Sequence, residues 1–243
     1  MMTITECLQL NYMQRDIELF EIFDLSQKTE PILFFYTWDK PAITLGKAQR
    51  EREQIMAEAS ELGIDCFVRP TGGKAVCHGG DICYTFIGAQ SDSVYGGRLR
   101  DSFKAVNEMV VEMVNGVLFT RSDVSLFEKV HLQGLRSLNK AELAEPPMMT
   151  CLSERNAADG TSRTSSNCFE HLVCNEGLFL DHKIVGAAQA MGKRAFIQQG
   201  SIQLNKPGFE LQSMTTNVTL SELTGQDYDL PDLCNELLYS APV

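Results

Sequence analysis

Apolar positions in this chain recur with two periods. Over residues 98–115, Leu99, Phe103, Val106, Val110, Met113 and Val114 return at helical spacing. That pattern predicts a helix with one stripe turned to a core, stopped at Gly116. The stretch "EREQIMAEASELG" repeats the period more weakly, with Ile55, Ala59 and Leu62 on one face and Gly63 as its stop. Near the carboxyl end, "TLSELTG" and "LPDLCNELLYSA" read as two short helices. Elsewhere the runs are short and bounded by turn residues. "PILFFYTWD" and "AITLGKA" are two strands broken at Lys40-Pro41, followed by "IDCFVR" and by "ICYTFIGA", in which Ile82, Tyr84 and Phe86 alternate. "HLVC", "LFL", "KIVGAAQA" and "AFIQQGSIQL" are further short strands. Residues 131–167 are polar and without period, which predicts one long, flexible loop. Strands dominate and do not alternate regularly with helices. The expected class is therefore α+β, one domain over residues 1–243 with helices on one side of the sheet.

Composition narrows the setting. The 243 residues are 44% hydrophobic and 22% charged, as in an ordinary soluble domain. A formal net charge of −11 argues against nucleic acid and anionic membranes as partners. The amino terminus lacks a basic segment followed by an apolar one, and no run reaches the roughly 20 residues of a membrane span. The expectation is a cytoplasmic protein. Eight cysteines occur without CxxC spacing, so neither a metal site nor a disulfide framework is expected. Most should be small buried hydrophobes, with one candidate nucleophile among them.

Three segments carry candidate chemistry. "RPTGGKAVCHGGD" places paired glycines between two strands, where backbone N–H groups can converge on a carboxylate, a thioester oxygen or a phosphate. It matches neither GxxxxGK[ST] nor GxGxxG, and a tight turn is the plainer reading. In "CFEHLVCNEGLFLDHKIVGAAQ", Lys183 opens an apolar strand. It is either an edge lysine with its head in water or a charge donor pointing into a pocket. Gly186 inside that strand suggests close approach of a ligand or another backbone. "IQQGSIQL" repeats the device with Gly200.

Taken together and in order, these segments resemble the catalytic domain of the biotin and lipoate protein ligase superfamily, in its lipoyl-attachment branch. The branch motif Arg-x-Ser/Thr-Gly-Gly-x-Ala-Val-x-His is matched by Arg69, Thr71, Gly72, Gly73, Ala75, Val76 and His78. "KIVGAAQ" matches Lys-x-x-Gly-x-Ala-Gln, and "QQGSI" matches Gln-His-Gly-Ser-Ile with Gln199 in place of the histidine. "WDKPAITLGKAQ" is similar to the early strand pair, and the likeness spans residues 31–204. Pro70 stands where a second arginine is usual, and Gly79 where an aspartate is common. The resemblance implies a mixed, mostly antiparallel sheet with helices on one side. It also implies an octanoyl or lipoyl chain in an apolar tunnel, its carboxyl end near the glycine loop and Lys183. Residues implied in acyl or nucleotide binding are Arg69, Thr71, Gly72, Gly73, Ala75, His78, Gly186, Ala188 and Gly200. The acceptor would be a lysine on a lipoyl domain of a 2-oxoacid dehydrogenase or on the glycine-cleavage H protein.

The branch holds two chemistries. Lipoate-protein ligases activate free lipoate with ATP and Mg²⁺ through an adenylate. Octanoyl- and lipoyltransferases use a cysteine acyl-enzyme and need no cofactor, drawing on acyl carrier protein or a lipoylated protein. Cys168 in "NCFE" lies 15 residues before Lys183, as in the cysteine-dependent octanoyltransferases. "HGGDICYTF" also resembles the transferases, and the chain ends soon after the catalytic segment, without the accessory domain of many ligases. The expectation is a transferase with Cys168 and Lys183 as its catalytic pair. The alternatives are an ATP-dependent ligase and a non-catalytic paralogue that binds acyl groups or lipoyl domains.

Overall fold

The computed structural model describes residues 11–119, 148–151, 176–214 and 217–240. Its helices are α1 (Tyr12–Leu25), α2 (Arg52–Glu61), α3 (Leu99–Leu118), α4 (Leu220–Thr224) and α5 (Leu230–Ser240). In the larger sheet, β1 (Ile32–Tyr36), β5 (Asp81–Ala89), β9 (Ala195–Gln203), β8 (His182–Met191), β7 (Gly177–Phe179) and β6 (Thr150–Cys151) lie in that order, each antiparallel to its neighbours. The smaller sheet runs β3 (Asp65–Val68), β2 (Ala42–Leu45), β4 (Val76–His78). There β2 is parallel to β3 and antiparallel to β4. Parallel strands need a crossover, and α2 supplies it. The mixed, mostly antiparallel sheet is thus as expected.

Strand alternation divides the large sheet into two faces. Ile82, Tyr84 and Phe86 of β5, with Phe196 and Ile202 of β9, pack with Val106, Val110 and Val114 of α3 and Leu237 of α5. The odd-numbered residues of β5 turn the other way. Ile87 and Ala89 meet Leu19 and Phe23 of α1, and Asp81, Cys83 and Thr85 meet the small sheet and α1. The layer between the two sheets is where the candidate site forms.

Two elements differ from the sequence pattern. Helix α3 continues through Gly116 to Leu118. A glycine inside a helix costs about 1 kcal/mol relative to alanine, and burial of Val117 and Phe119 beyond it offsets that. Helix α1 was not apparent from the apolar pattern. Asn11 caps it, its side chain accepting from the Gln14 N–H at 3.0 Å, and it buries Met13, Arg15, Asp16, Leu19 and Phe23. Of the loop expected over 131–167, only 148–151 are described, and Thr150–Cys151 form β6. The Asn115 amide clamps that segment to α3, donating to the Met149 carbonyl at 2.9 Å and accepting its N–H at 2.8 Å.

Candidate active site

A cavity opens between the sheets, bordered by Thr44, Arg69 and His78 on one side and Gly186, Ala188 and Gln199 on the other. Its volume is about 30 Å³, where one water needs roughly 10–15 Å³ by the same measure. It is a narrow, largely apolar slot with a few polar groups in its wall.

Arg69 and Val76, on either side of the glycine loop, form the first part of that wall, and Thr71, Gly72 and Gly73 lie behind them, not among the lining residues. Arg69 follows β3 and is buried. Its guanidinium donates to the Thr44 carbonyl at 3.1 Å, to the Gly72 carbonyl at 2.8 Å and to the Lys74 carbonyl at 2.6 Å. The planar fork thus shapes the loop from inside. Gly73 has φ +85, a left-handed backbone suited to glycine. A β-carbon on Gly46 would lie 1.9 Å from the Gly73 carbonyl oxygen, so the loop closes directly on β2. Thr71 donates to Gln199 Oε1 at 3.0 Å. Gln199 in turn donates to Asp16 Oδ2 at 2.8 Å, tying loop, β9 and α1 together where the family pattern has a histidine. Burial pushes the Asp16 carboxyl up, against the Arg15 guanidinium and the hydrogen bonds it accepts from Thr85 and Gln199.

His78 ends β4 and faces two partners. One ring nitrogen lies 2.7 Å from Thr44 Oγ1 and the other 2.7 Å from Asp81 Oδ2, while Trp38 stacks on the ring at 5.0 Å. The Gly79-Gly80 turn brings Asp81 back to the histidine, so the carboxylate comes from two residues beyond the family's usual aspartate. Ser201 donates to Asp81 at 2.5 Å and the Gly79 N–H at 3.1 Å. Burial raises the Asp81 carboxyl, but the His78 charge and these hydrogen bonds outweigh it, and the net shift is downward. His78, Asp81 and Cys83 offer ligand-type atoms within 4.8 Å of one another, the one such set among the described residues. All three already hydrogen-bond within the set.

Cys83 borders the cavity and was not singled out from the sequence. Burial, then the Asp81 charge, pushes its thiol well above the ordinary range. Burial likewise pushes Cys77 to about 12 and Cys151 to about 11. None of these three is a ready thiolate at neutral pH. Cys168 lies outside the described residues.

Lys183 is the second residue of β8 and is buried. Its Nζ lies 2.7 Å from Glu176 Oε1, and both side chains are only 2% exposed. This is not an edge lysine with its head in water. Gly186 and Ala188, further along β8, border the cavity. Gly200 borders it too, and its missing side chain makes room for Tyr84, whose ring carbon would lie 2.1 Å from a β-carbon there. Ala75 is elsewhere, in the core that Ile43 and Leu45 form with Ile55 and Ala59 of α2. Gly72 lies in the loop with nothing within 4 Å of where its β-carbon would be. Sequence reasoning missed Thr44, Met13 and Ser201. Only strand alternation in "AITLG" and "QQGSI" could have placed the first and last of these on an inner face.

The chain matches the lipoyl protein ligase A/B catalytic domain over residues 13–227, and it belongs to that family. Among curated relatives, octanoyltransferase LipM of Carboxydothermus hydrogenoformans is 28% identical over 174 residues, covering 71% of this chain and 52% of that protein. LipM of Kyrpidia tusciae is 28% identical over 177 residues, covering 72% and 55%. The chain spans about half the length of these relatives. In fold it is similar to lipoate-protein ligase A bound with ATP (TM-score 0.53, 18% identity, 93% of this chain and 76% of that one). It is similar too to the bipartite lipoate protein ligase of Thermoplasma acidophilum, studied with its E2 lipoyl domain (TM-score 0.53, 15% identity, 93% and 74%).

Proposed function

We propose that this protein transfers an octanoyl or lipoyl group to the acceptor lysine of a lipoyl domain or of the glycine-cleavage H protein, through an acyl-thioester on Cys168. The observation that carries this reading is the buried ammonium of Lys183, on a strand whose Gly186 and Ala188 border the slot. A fixed positive charge in a water-poor layer stabilises a thiolate, or the oxyanion that develops on a thioester carbonyl. The names of the LipM relatives support transfer over ligation. The raised thiols of Cys83, Cys77 and Cys151 favour a nucleophile elsewhere, and Cys168 is the candidate.

The two half-reactions balance without a cofactor. The Cys168 sulfur attacks the donor thioester, and the released carrier thiol takes up the proton. The acceptor amine then attacks the Cys168 thioester and forms the amide, and the proton it loses returns the cysteine to its thiol. Arg69, Thr71, Gly72 and Gly73 form the loop at the acyl carbonyl, and His78, Gly186, Ala188 and Gly200 border the chain. Met13, unbranched and flexible, is the lining side chain best able to give way to it.

Incubation with octanoyl-acyl carrier protein, followed by intact mass, tests the reading. Gain of one hydroxylamine-labile octanoyl group, passed on to a lipoyl domain, is expected. Lipoyl-domain modification only with lipoate, ATP and Mg²⁺ would replace the transferase with the ligase. Modification under neither condition would leave a binding protein.

A further inference from the structure

The hairpin that carries Lys183 is built unusually. β7 and β8 are joined by a two-residue turn, Leu180-Asp181, with φ of 49 and 63. Both central residues are left-handed, the geometry that normally selects Asn-Gly. Leucine and aspartate hold it here, with Leu180 packed against the main core. Just after the turn the pairing slips. Lys183 opposes Leu178, but Val185 opposes Gly177, so β8 takes two steps where β7 takes one. Ile184 is the extra residue of a β-bulge, and it joins the same core as Val185. Bulges re-aim the side chains beside them, and this one sits directly after Lys183. Gly177 lets the hairpin seat tightly, since a β-carbon there would lie 2.9 Å from Val111 of α3. The outcome is that Lys183 Nζ meets Glu176 Oε1 at 2.7 Å in a site closed to water.

An isolated buried lysine tends to give up its proton, because burial penalises its charged form. A neutral amine would stabilise neither a thiolate nor an oxyanion. A carboxylate in contact reverses that preference and fixes one of the three N–H directions. We propose that Glu176 is a positioning residue for acyl transfer: it holds Lys183 Nζ in place, and the left-handed turn and the bulge keep the two in register. This rests on the role of Lys183 proposed above. Tyr84 of β5 also senses Glu176. Cys151 of β6 senses Glu108 and Lys104 of α3. If the pair served stability alone, a neutral, volume-matched replacement would be tolerated.

A double-mutant cycle separates the two roles. Wild type, Glu176→Gln, Lys183→Met and the double variant are compared for melting temperature and for single-turnover modification of the enzyme or of a lipoyl domain. Octanoyl-acyl carrier protein and lipoate with ATP and Mg²⁺ are tested as separate donors. Glu176→Gln should slow the maximal rate roughly 100-fold, the cost of misplacing a group by about 1 Å, with the donor KM little changed. Glu176→Asp should recover part of that rate. In the Lys183→Met background, Glu176→Gln should add no further loss, because its effect passes through the lysine. A Glu176→Gln enzyme at wild-type rate overturns the inference, as does a loss that adds fully to that of Lys183→Met. If Glu176→Gln does not fold, the double variant still decides, by matching or falling below Lys183→Met. Wild type inactive with both donors would instead overturn the acyl-transfer reading, and the inference with it.

Discussion

Gly46 and Gly73 approach so closely that a β-carbon on the first would sit 1.9 Å from the carbonyl oxygen of the second. The contact is backbone against backbone, so no flexible side chain can yield. Gly46→Ala should therefore displace the glycine loop, cost about 1–3 kcal/mol as overpacking does, and lower acyl transfer. Gly72→Ala is the control, because nothing lies within 4 Å of its β-carbon position. It should melt within a degree or two of wild type. Equal melting temperatures for Gly46→Ala and Gly72→Ala would mean the loop is not held as described.

Cys168→Ser should abolish the labile acyl-enzyme and most transfer. Cys66→Ser and Cys77→Ser should keep it, because those thiols pack beside the core between the small sheet and α2, and burial holds both above the ordinary range. Intact mass after exposure to octanoyl-acyl carrier protein reads all three. Full acylation of Cys168→Ser would move the nucleophile elsewhere or favour the ligase.

Lys183→Ala removes a buried charge that both chemistries would use. One such donor in a water-poor site is worth on the order of 3 kcal/mol, so the rate should fall about 100-fold or more. Lys183→Arg should also fail, since a forked guanidinium cannot occupy the space of an ammonium held 2.7 Å from Glu176. Steady-state rates on a purified lipoyl domain decide, and an unchanged rate with every donor would place the site elsewhere.

Asp24 closes the β8–β9 turn, its carboxylate accepting the N–H groups of Lys193, Arg194 and Ala195 at 2.9, 2.7 and 2.8 Å. Slight burial raises its pKa, but these three N–H groups and the Lys193 charge lower it further, for a net downward shift. A lowered carboxyl pKa means stability fully present above the unfolded value, about 3.9, and lost as pH falls through the lower folded value. Asp24→Ala should cost about 1 kcal/mol at pH 7. The gap in melting temperature from wild type should close as the pH drops below about 4. A gap independent of pH would assign the effect to packing rather than to the carboxylate.

Much of the architecture was readable in the linear pattern. Alternation in "ICYTFIGA" and the helical stripe from Leu99 to Val114 each follow from local periodicity, which a chain displays wherever one face must be buried. The motif residues Arg69, Thr71, Gly72, Gly73, His78 and Lys183 were legible for another reason. They stand in ordered segments that resemble the motifs of the lipoyl-attachment branch. Gly116 misled because its local cost is small against the burial of Val117 and Phe119 that follow it.

The sequence by itself therefore determined the class of fold and the family, and it marked the stretches proposed to hold the chemistry. Only the tertiary structure decided what those residues touch. Ala75 and Gly72 belong to the same motif, yet one is in the α2 core and the other in the loop. Strand β2 brings Thr44 against His78 across 34 positions, and β9 brings Gln199 against Thr71 across 128. The bulge at Ile184 separates the surroundings of Lys183 from those its strand position alone would give. The physical reason is that periodicity reports which face a residue turns to, whereas sheet register and the approach of distant backbones set its neighbours. Those depend on pairings between segments far apart in the chain, which local pattern does not encode.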